Sequence, residues 1–156
     1  MGFQFLNHAD AVRQKLAPKI ELKRKSELGQ FMTSASVARF MASLFPRSRL
    51  RDCRLLDAGA GVGALSCAFL DRWAVAEGFV FRKVEVEAFE IDANLRGQLE
   101  SVLSSYAERV PVKYQVFADD FIHAAALQTL GAPRFTHSIL NPPYKKINSA
   151  SDHRLI

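Results

Sequence analysis

The chain has 156 residues, is 49% hydrophobic and 24% charged, and carries a formal net charge of +5. That is the size of one domain with enough apolar surface for a core, and no stretch approaches the roughly 18 apolar residues that a membrane span needs. Two cysteines, Cys53 and Cys67, and four scattered histidines give neither a disulfide framework nor a metal-site spacing. No metal is therefore expected, and with no secretory-type apolar run at the N-terminus a reducing, cytoplasmic setting is the simpler expectation.

The charge is unevenly placed. Residues 1–56 hold 11 Lys and Arg against 4 Asp and Glu, a balance of +7, while residues 57–156 hold 10 against 12, a balance of −2. Lys19, Lys23, Arg24 and Lys25 cluster before Gly29, and Arg47, Arg49, Arg51 and Arg54 follow the next helix. Such a segment either attracts a polyanion at modest salt or is an ordinary solvated face.

In chain order, Val12, Leu16 and Ile20 recur at helical spacing and predict a basic helix within 9–25, interrupted at Pro18. Residues 29–33 read as a loop. Thr33 or Ser34 can cap a helix over about 35–45 with an apolar stripe of Val37, Phe40, Met41 and Leu44, stopped by Pro46. Cys53 to Asp57 reads as a buried first strand, followed at once by the turn Asp57-Ala58-Gly59-Ala60-Gly61-Val62-Gly63. Ala64 to Ala76 predicts a helix packed on the sheet through Leu65, Ala68, Phe69 and Trp73, ended by Gly78. Val84 to Ala88 alternates as a strand and runs out through residues 89–92. A helix over 93–108, a third strand over 112–117, a helix over 120–130 and a fourth strand over 135–140 complete the pattern. Strand–helix alternation of this kind predicts a doubly wound, mostly parallel α/β sheet.

Three glycines at alternate positions, Gly59, Gly61 and Gly63, let the backbone turn tightly and approach a ligand; no Lys-Ser/Thr follows, so this is no phosphate-gripping Walker loop. Glu90, 27 residues beyond Gly63, sits where a carboxylate accepts two ribose hydroxyls, with Asp92 as the alternative or as a helix cap. Asp119 and Asp120 end the third strand, where one can accept the amino hydrogens of an adenine and the other caps the next helix. Asn141-Pro142-Pro143-Tyr144 is the sharpest motif. The two prolines freeze the backbone, the Pro142 carbonyl and the Asn141 side-chain oxygen offer two acceptors to a planar amine, and Tyr144 can stack on its ring.

With these pieces in order, the chain from about Gly29 to Lys146 resembles the class I S-adenosylmethionine-dependent methyltransferases, specifically the amino-group DNA N6-adenine enzymes of the gamma arrangement. Gly29-Gln30-Phe31-Met32-Thr33-Ser34 is similar to the family motif that contacts the methionine carboxylate, with Ser34 in place of its usual proline. The resemblance implies cofactor contacts from Phe31, Thr33, Asp57, Gly59, Gly61, Gly63, Glu90, Ile91, Asp120 and Phe121. Within that set Asp57 lies near the methionine ammonium, Glu90 on the ribose, Asp120 on the adenine amine and Phe121 on the ring. It assigns catalysis to Asn141, Pro142, Pro143 and Tyr144.

The expectation is thus a Rossmann-like class I methyltransferase sheet of about four parallel strands with an N-terminal helical cap. Residues 1–50 form the basic helical segment, and 51–156 form the S-adenosylmethionine-binding part, cut off after the fourth strand. The chain stops 12 residues after Tyr144, so the exposed sheet edge is expected to meet a missing C-terminal region or a second copy. The implied function is methyl transfer to adenine N6 in DNA, of restriction–modification type, with DNA bound through the complete protein. A protein glutamine or RNA-base N-methyltransferase is the alternative, and a non-catalytic cofactor- or partner-binding module the third.

Overall fold

Residues 5–16, 32–46, 49–73, 81–126 and 134–141 are described by the computed structural model. Four strands, all parallel, form one sheet: β1 (Asp52–Ala58), β2 (Lys83–Phe89), β3 (Val112–Phe117) and β4 (His137–Ser138), in the order β3-β2-β1-β4. β1 and β2 pair from Asp52↔Lys83 to Ala58↔Phe89, and β2 and β3 from Val84↔Val112 to Phe89↔Phe117. The chain leaves β3 at one edge and returns on the far side of β1. Strand order therefore reverses beside β1, and the crevice at the carboxyl ends of β1 and β4 is a topological switch point, the place where open α/β sheets bind ligands.

Among the described residues five helices accompany the strands: α1 (Phe5–Leu16), α2 (Ala35–Ser43), α3 (Ala64–Trp73), α4 (Ala93–Ala107) and α5 (Phe121–Ala126). Side chains alternate between the faces of a strand, and the two faces are covered differently. Leu55, Val84 and Val86 join the main core with Leu6, Ala38, Phe69 and Leu103 from α1, α2, α3 and α4. Leu56, Ala58 and Phe89 point the other way and pack with Phe117, Phe121, Phe135 and Leu140. Asp71 of α3 ties the helical layer together: one oxygen accepts the Tyr106 hydroxyl of α4 at 2.5 Å, the other the Leu6 amide of α1 at 3.4 Å.

Three local expectations change. The helix expected within 9–25 starts at Phe5 and is described to Leu16, because Leu6 and Ala9 are its buried positions; residues 17–31, with Lys19, Lys23, Arg24, Lys25 and Phe31, lie outside the described residues. α2 buries the opposite face from the one its large side chains suggest. Ala35, Ala38 and Ala42 form its inner ridge, packed on α3; of the expected stripe Met41 is half-buried against the core, while Val37, Phe40 and Leu44 are 49%, 63% and 65% exposed. Small side chains in a ridge let two helices approach closely, and the larger ones are then left outside. β4 pairs over two residues instead of running over 135–140, although Thr136 N and Ile139 N still donate to the Arg54 and Leu56 carbonyl oxygens at 2.9 Å. The helix expected over 120–130 is described over Phe121–Ala126, its remainder lying outside the described residues, as does Gly78.

Gly63 shows why the turn after β1 is glycine-rich. Its φ is +84°, and a Cβ there would stand 2.8 Å from Leu99 Cδ1 and 3.3 Å from Val102 Cγ1 of α4. Gly63→Ala combines left-handed strain with overpacking and is expected to lower stability by about 1–3 kcal/mol, measured as a drop in urea midpoint at unchanged m-value.

Candidate functional site

The site is assembled from the residues that follow each strand. After β1 the chain turns through Gly59 and Gly61, both at positive φ, and the Gly59 and Ala60 amides donate to the Phe89 carbonyl oxygen of β2 at 2.9 Å each. The turn is thereby docked on the end of the neighbouring strand. Glu90, the first residue past β2, is buried and fastens the same junction with its side chain: Oε2 accepts the Gly61 amide and Oε1 the Asp92 amide, both at 2.8 Å. Asp92 caps α4 by accepting Asn94 N at 2.9 Å and Leu95 N at 3.4 Å, the cap role expected as one of its two readings, while Glu90 is the acid bonded to the turn.

Asp57 ends β1 beneath the turn and is fully buried. Its Oδ2 accepts the Ser66 hydroxyl at 2.6 Å and the Ser66 amide at 3.1 Å, both from the first turn of α3, and its Oδ1 has no partner among the described residues. Burial raises its pKa to about 7 against the lowering effect of Ser66, and the nearby Glu90 charge adds to the rise. Burial likewise raises Glu90, opposed by the two amides it accepts. Two acids of raised pKa at adjacent strand ends form a site suited to a partner that brings hydroxyls and positive charge.

Beyond β3, Asp120 caps α5 by accepting the Ile122 amide at 2.8 Å. Phe121 lies edge-on to Phe89, with ring centroids 5.1 Å apart, and Phe89 stacks on Phe117 at 4.7 Å, so Phe121 belongs to the second hydrophobic cluster. Ile91 is 48% exposed beside Glu90 and offers an apolar surface at the rim. Asn141 follows β4 at the switch point: its carbonyl oxygen is 4.0 Å from where a Cβ on Gly59 would sit, and its Nδ2 donates to Thr33 Oγ1 at 3.1 Å across 108 residues of sequence. Met32 reaches the other end of the turn, its Cγ 4.0 Å from a Cβ built on Gly61. Thr33, Gly59, Gly61, Glu90 and Asn141 are therefore brought together, while Phe31, Pro142, Pro143 and Tyr144 lie outside the described residues.

Three residues that hold this arrangement escaped the sequence reading. Ser66 holds Asp57, as above. Arg96 of α4 donates from Nη1 to the Glu90 and Ile91 carbonyl oxygens at 2.9 and 2.8 Å, pinning the segment after β2. Asp10 of α1 accepts the Ala35 amide at 3.1 Å and so caps α2 from a distance, while Ser34, at the cap position, makes no side-chain cap bond. The i, i+6 spacing of Glu90 and Arg96 is readable in hindsight; the Asp10 contact spans 25 residues and has no local signature.

The residues present fit S-adenosylmethionine. Three Cβ-free positions line the turn, Glu90 keeps acceptor capacity on both oxygens beyond the amides it holds, and Asp57 has a buried oxygen without a partner among the described residues. Among the described residues no group of three or more His, Cys, Asp or Glu could hold a metal ion, and no helix is long and apolar enough to cross a membrane.

Comparison with known proteins agrees with this geometry. The fold is that of a class I S-adenosylmethionine-dependent methyltransferase: a Listeria monocytogenes protein described by that name superposes with a TM-score of 0.61 at 16% identity, over 88% of this chain and 39% of its own. In sequence, the chain is 42% identical over 97% of its length to the Type II methyltransferase M.BsuBI of Bacillus subtilis, and 33% identical over 94% to M.PstI of Providencia stuartii. The class I methyltransferase fold expected from the motifs is thus upheld, and in sequence the chain is similar to these type II methyltransferases. It spans 31% and 30% of their lengths. No protein-family model matches the chain.

The buried Asp57 makes a pH-dependent contribution whose sign is fixed. With a folded pKa of about 7 and an unfolded value near 3.8, the folded state holds a proton that the unfolded chain has released. Stability therefore falls as pH rises from about 4 to 7 and levels off above. Asp57→Asn is expected to flatten that stretch of the curve, measured by urea unfolding at pH 5, 6, 7 and 8.

Proposed function

We propose that this chain carries the cofactor-binding and amine-binding part of an enzyme that methylates N6 of adenine in DNA with S-adenosylmethionine. The observation that carries the reading is Asn141, the first residue of Asn-Pro-Pro-Tyr, standing at the switch point against Gly59 with its amide hydrogen-bonded to Thr33. Support comes from the identity to M.BsuBI and M.PstI and from the +7 balance over residues 1–56, which suits a polyanionic substrate.

Bound S-adenosylmethionine supplies an electrophilic methyl group on its sulfonium. Glu90 takes the ribose hydroxyls and Ile91 lies beside the adenine. Asp57, beneath the turn, favours the cationic methionine end. By the motif resemblance, Thr33 and Phe31 would meet the methionine carboxylate, and Phe121 and Asp120, which also caps α5, would meet the cofactor base. The Asn141 side-chain oxygen and the Pro142 carbonyl accept the two hydrogens of the target amine, orienting its lone pair and stabilising positive charge as it grows on nitrogen. Tyr144 stacks on the extruded base and offsets part of the cost of flipping it.

The deciding experiment is a tritiated-methyl transfer assay offering duplex DNA, RNA and a glutamine-containing peptide to this chain and to the full-length product of its gene. Label at adenine N6 in DNA is the expected result. Label confined to peptide or RNA moves the substrate, and cofactor binding without transfer by either protein favours a binding module. Asn141→Ala is expected to remove most transfer with cofactor affinity nearly unchanged. Glu90→Ala is expected to weaken S-adenosylhomocysteine binding by about 1.5–3 kcal/mol, read by calorimetry.

A further inference from the structure

A carboxamide has an acceptor end and a donor end, and a target amine, arriving with its hydrogens, can use only the first. Which end of Asn141 faces the reaction is therefore decided by what binds the other. In this fold the donor end is taken: Nδ2 donates to Thr33 Oγ1 at 3.1 Å. Thr33 in turn stands at the entrance of α2, two residues before Ala35, whose amide is held by Asp10 Oδ1 at 3.1 Å. Asp10 is itself fixed within α1 by Arg13 Nε at 2.7 Å and Gln14 Nε2 at 2.9 Å. Hydrogen bonds at the two ends of the short segment 33–35 thus tie α1 to the start of α2, and that start to the amide beyond β4.

We infer that Thr33 is a positioning residue for Asn141: its hydroxyl oxygen accepts the amide hydrogen and turns the amide carbonyl toward the target amine. This rests on the amine-methylation reading above and adds a role to a residue that the motif resemblance connects only to the cofactor. The two roles are compatible in one hydroxyl, since the oxygen accepts from Asn141 while its hydrogen remains to be donated elsewhere. They are separable by experiment, because a cofactor contact and an amide clamp fail in different measurements.

The test uses the full-length protein with Thr33→Val, which keeps the shape and removes the acceptor, and Thr33→Ser, which keeps the acceptor. Single-turnover methyl transfer to DNA and S-adenosylhomocysteine affinity are measured on both, with the Asn141 side-chain amide followed by NMR on 15N-asparagine-labelled protein and identified by its loss in Asn141→Ala. At saturating cofactor, Thr33→Val is expected to slow transfer about tenfold, the scale of one lost hydrogen bond, over and above any loss of cofactor affinity, which reports the separate cofactor contact of the same hydroxyl. It should also shift the Asn141 amide signal, and Thr33→Ser should restore both rate and signal. A wild-type rate in Thr33→Val at saturating cofactor, or an unshifted amide signal, would each overturn the inference. If the wild-type protein transfers no methyl group to any amine, the function reading fails, and the inferred role for Thr33 falls with it. An amide signal that still shifts would then mark the contact as structural only.

Discussion

The Glu90 carboxylate is the interaction on which the site end of the sheet depends. One oxygen holds Gly61 of the turn after β1 and the other holds Asp92 at the start of α4, so one side chain sets the distance between two strand ends and the helix that follows. Its own backbone is held as well: Glu90 N donates to the Phe117 carbonyl oxygen at 3.0 Å, and Arg96 grips its carbonyl oxygen. A buried carboxylate costs several kcal/mol to desolvate unless its oxygens are satisfied, and here backbone amides that would otherwise be unpaired satisfy them. The acid and the turn need each other.

Asp57 obeys the same logic with a different balance. Ser66 satisfies one oxygen twice, yet the other has no partner among the described residues, and burial dominates its titration. With Glu90 close enough to raise it further, the pair stores unfavourable negative charge under a turn made of glycines. A cation arriving there would favour the ionised forms of both acids.

Much of this was legible in the sequence, and what was not has a physical reason. The three glycines, the strand that precedes them and the acid after β2 are local patterns, and each appears where it was expected. α2 misled because hydrophobicity ranks Val37, Phe40 and Leu44 above Ala35, Ala38 and Ala42, whereas close packing on α3 selects for size. The contacts that fix Thr33 and Asn141 join α1 to α2 across 25 residues and α2 to the end of β4 across 108. No periodicity encodes such pairs. Motif order implied that residues around 33 and 141 share a site, but only the fold shows that they touch.

The second face of the sheet shows where rigidity is concentrated. On the side that carries Leu56, Ala58 and Phe89, the strands change character along their length. Toward the amino ends that face shows Arg54, Glu85, Glu87, Lys113 and Gln115, with Lys83 paired to Glu85 and Arg134 to Glu87 at 2.6 Å. Toward the carboxyl ends it shows Phe89 stacked on Phe117, with Phe121 and Phe135 packed around them. Exposed ion pairs hold little, whereas stacked and edge-on aromatic rings fix one another's orientation. The floor beneath the switch point is thus aromatic and the far end of the same face is solvated. Since the main core covers the opposite face throughout, the strand ends that bear Gly59, Glu90 and Asn141 are packed on both sides. The proposed alignment of a methyl donor with an amine to within a fraction of an ångström gains from a backbone anchored there.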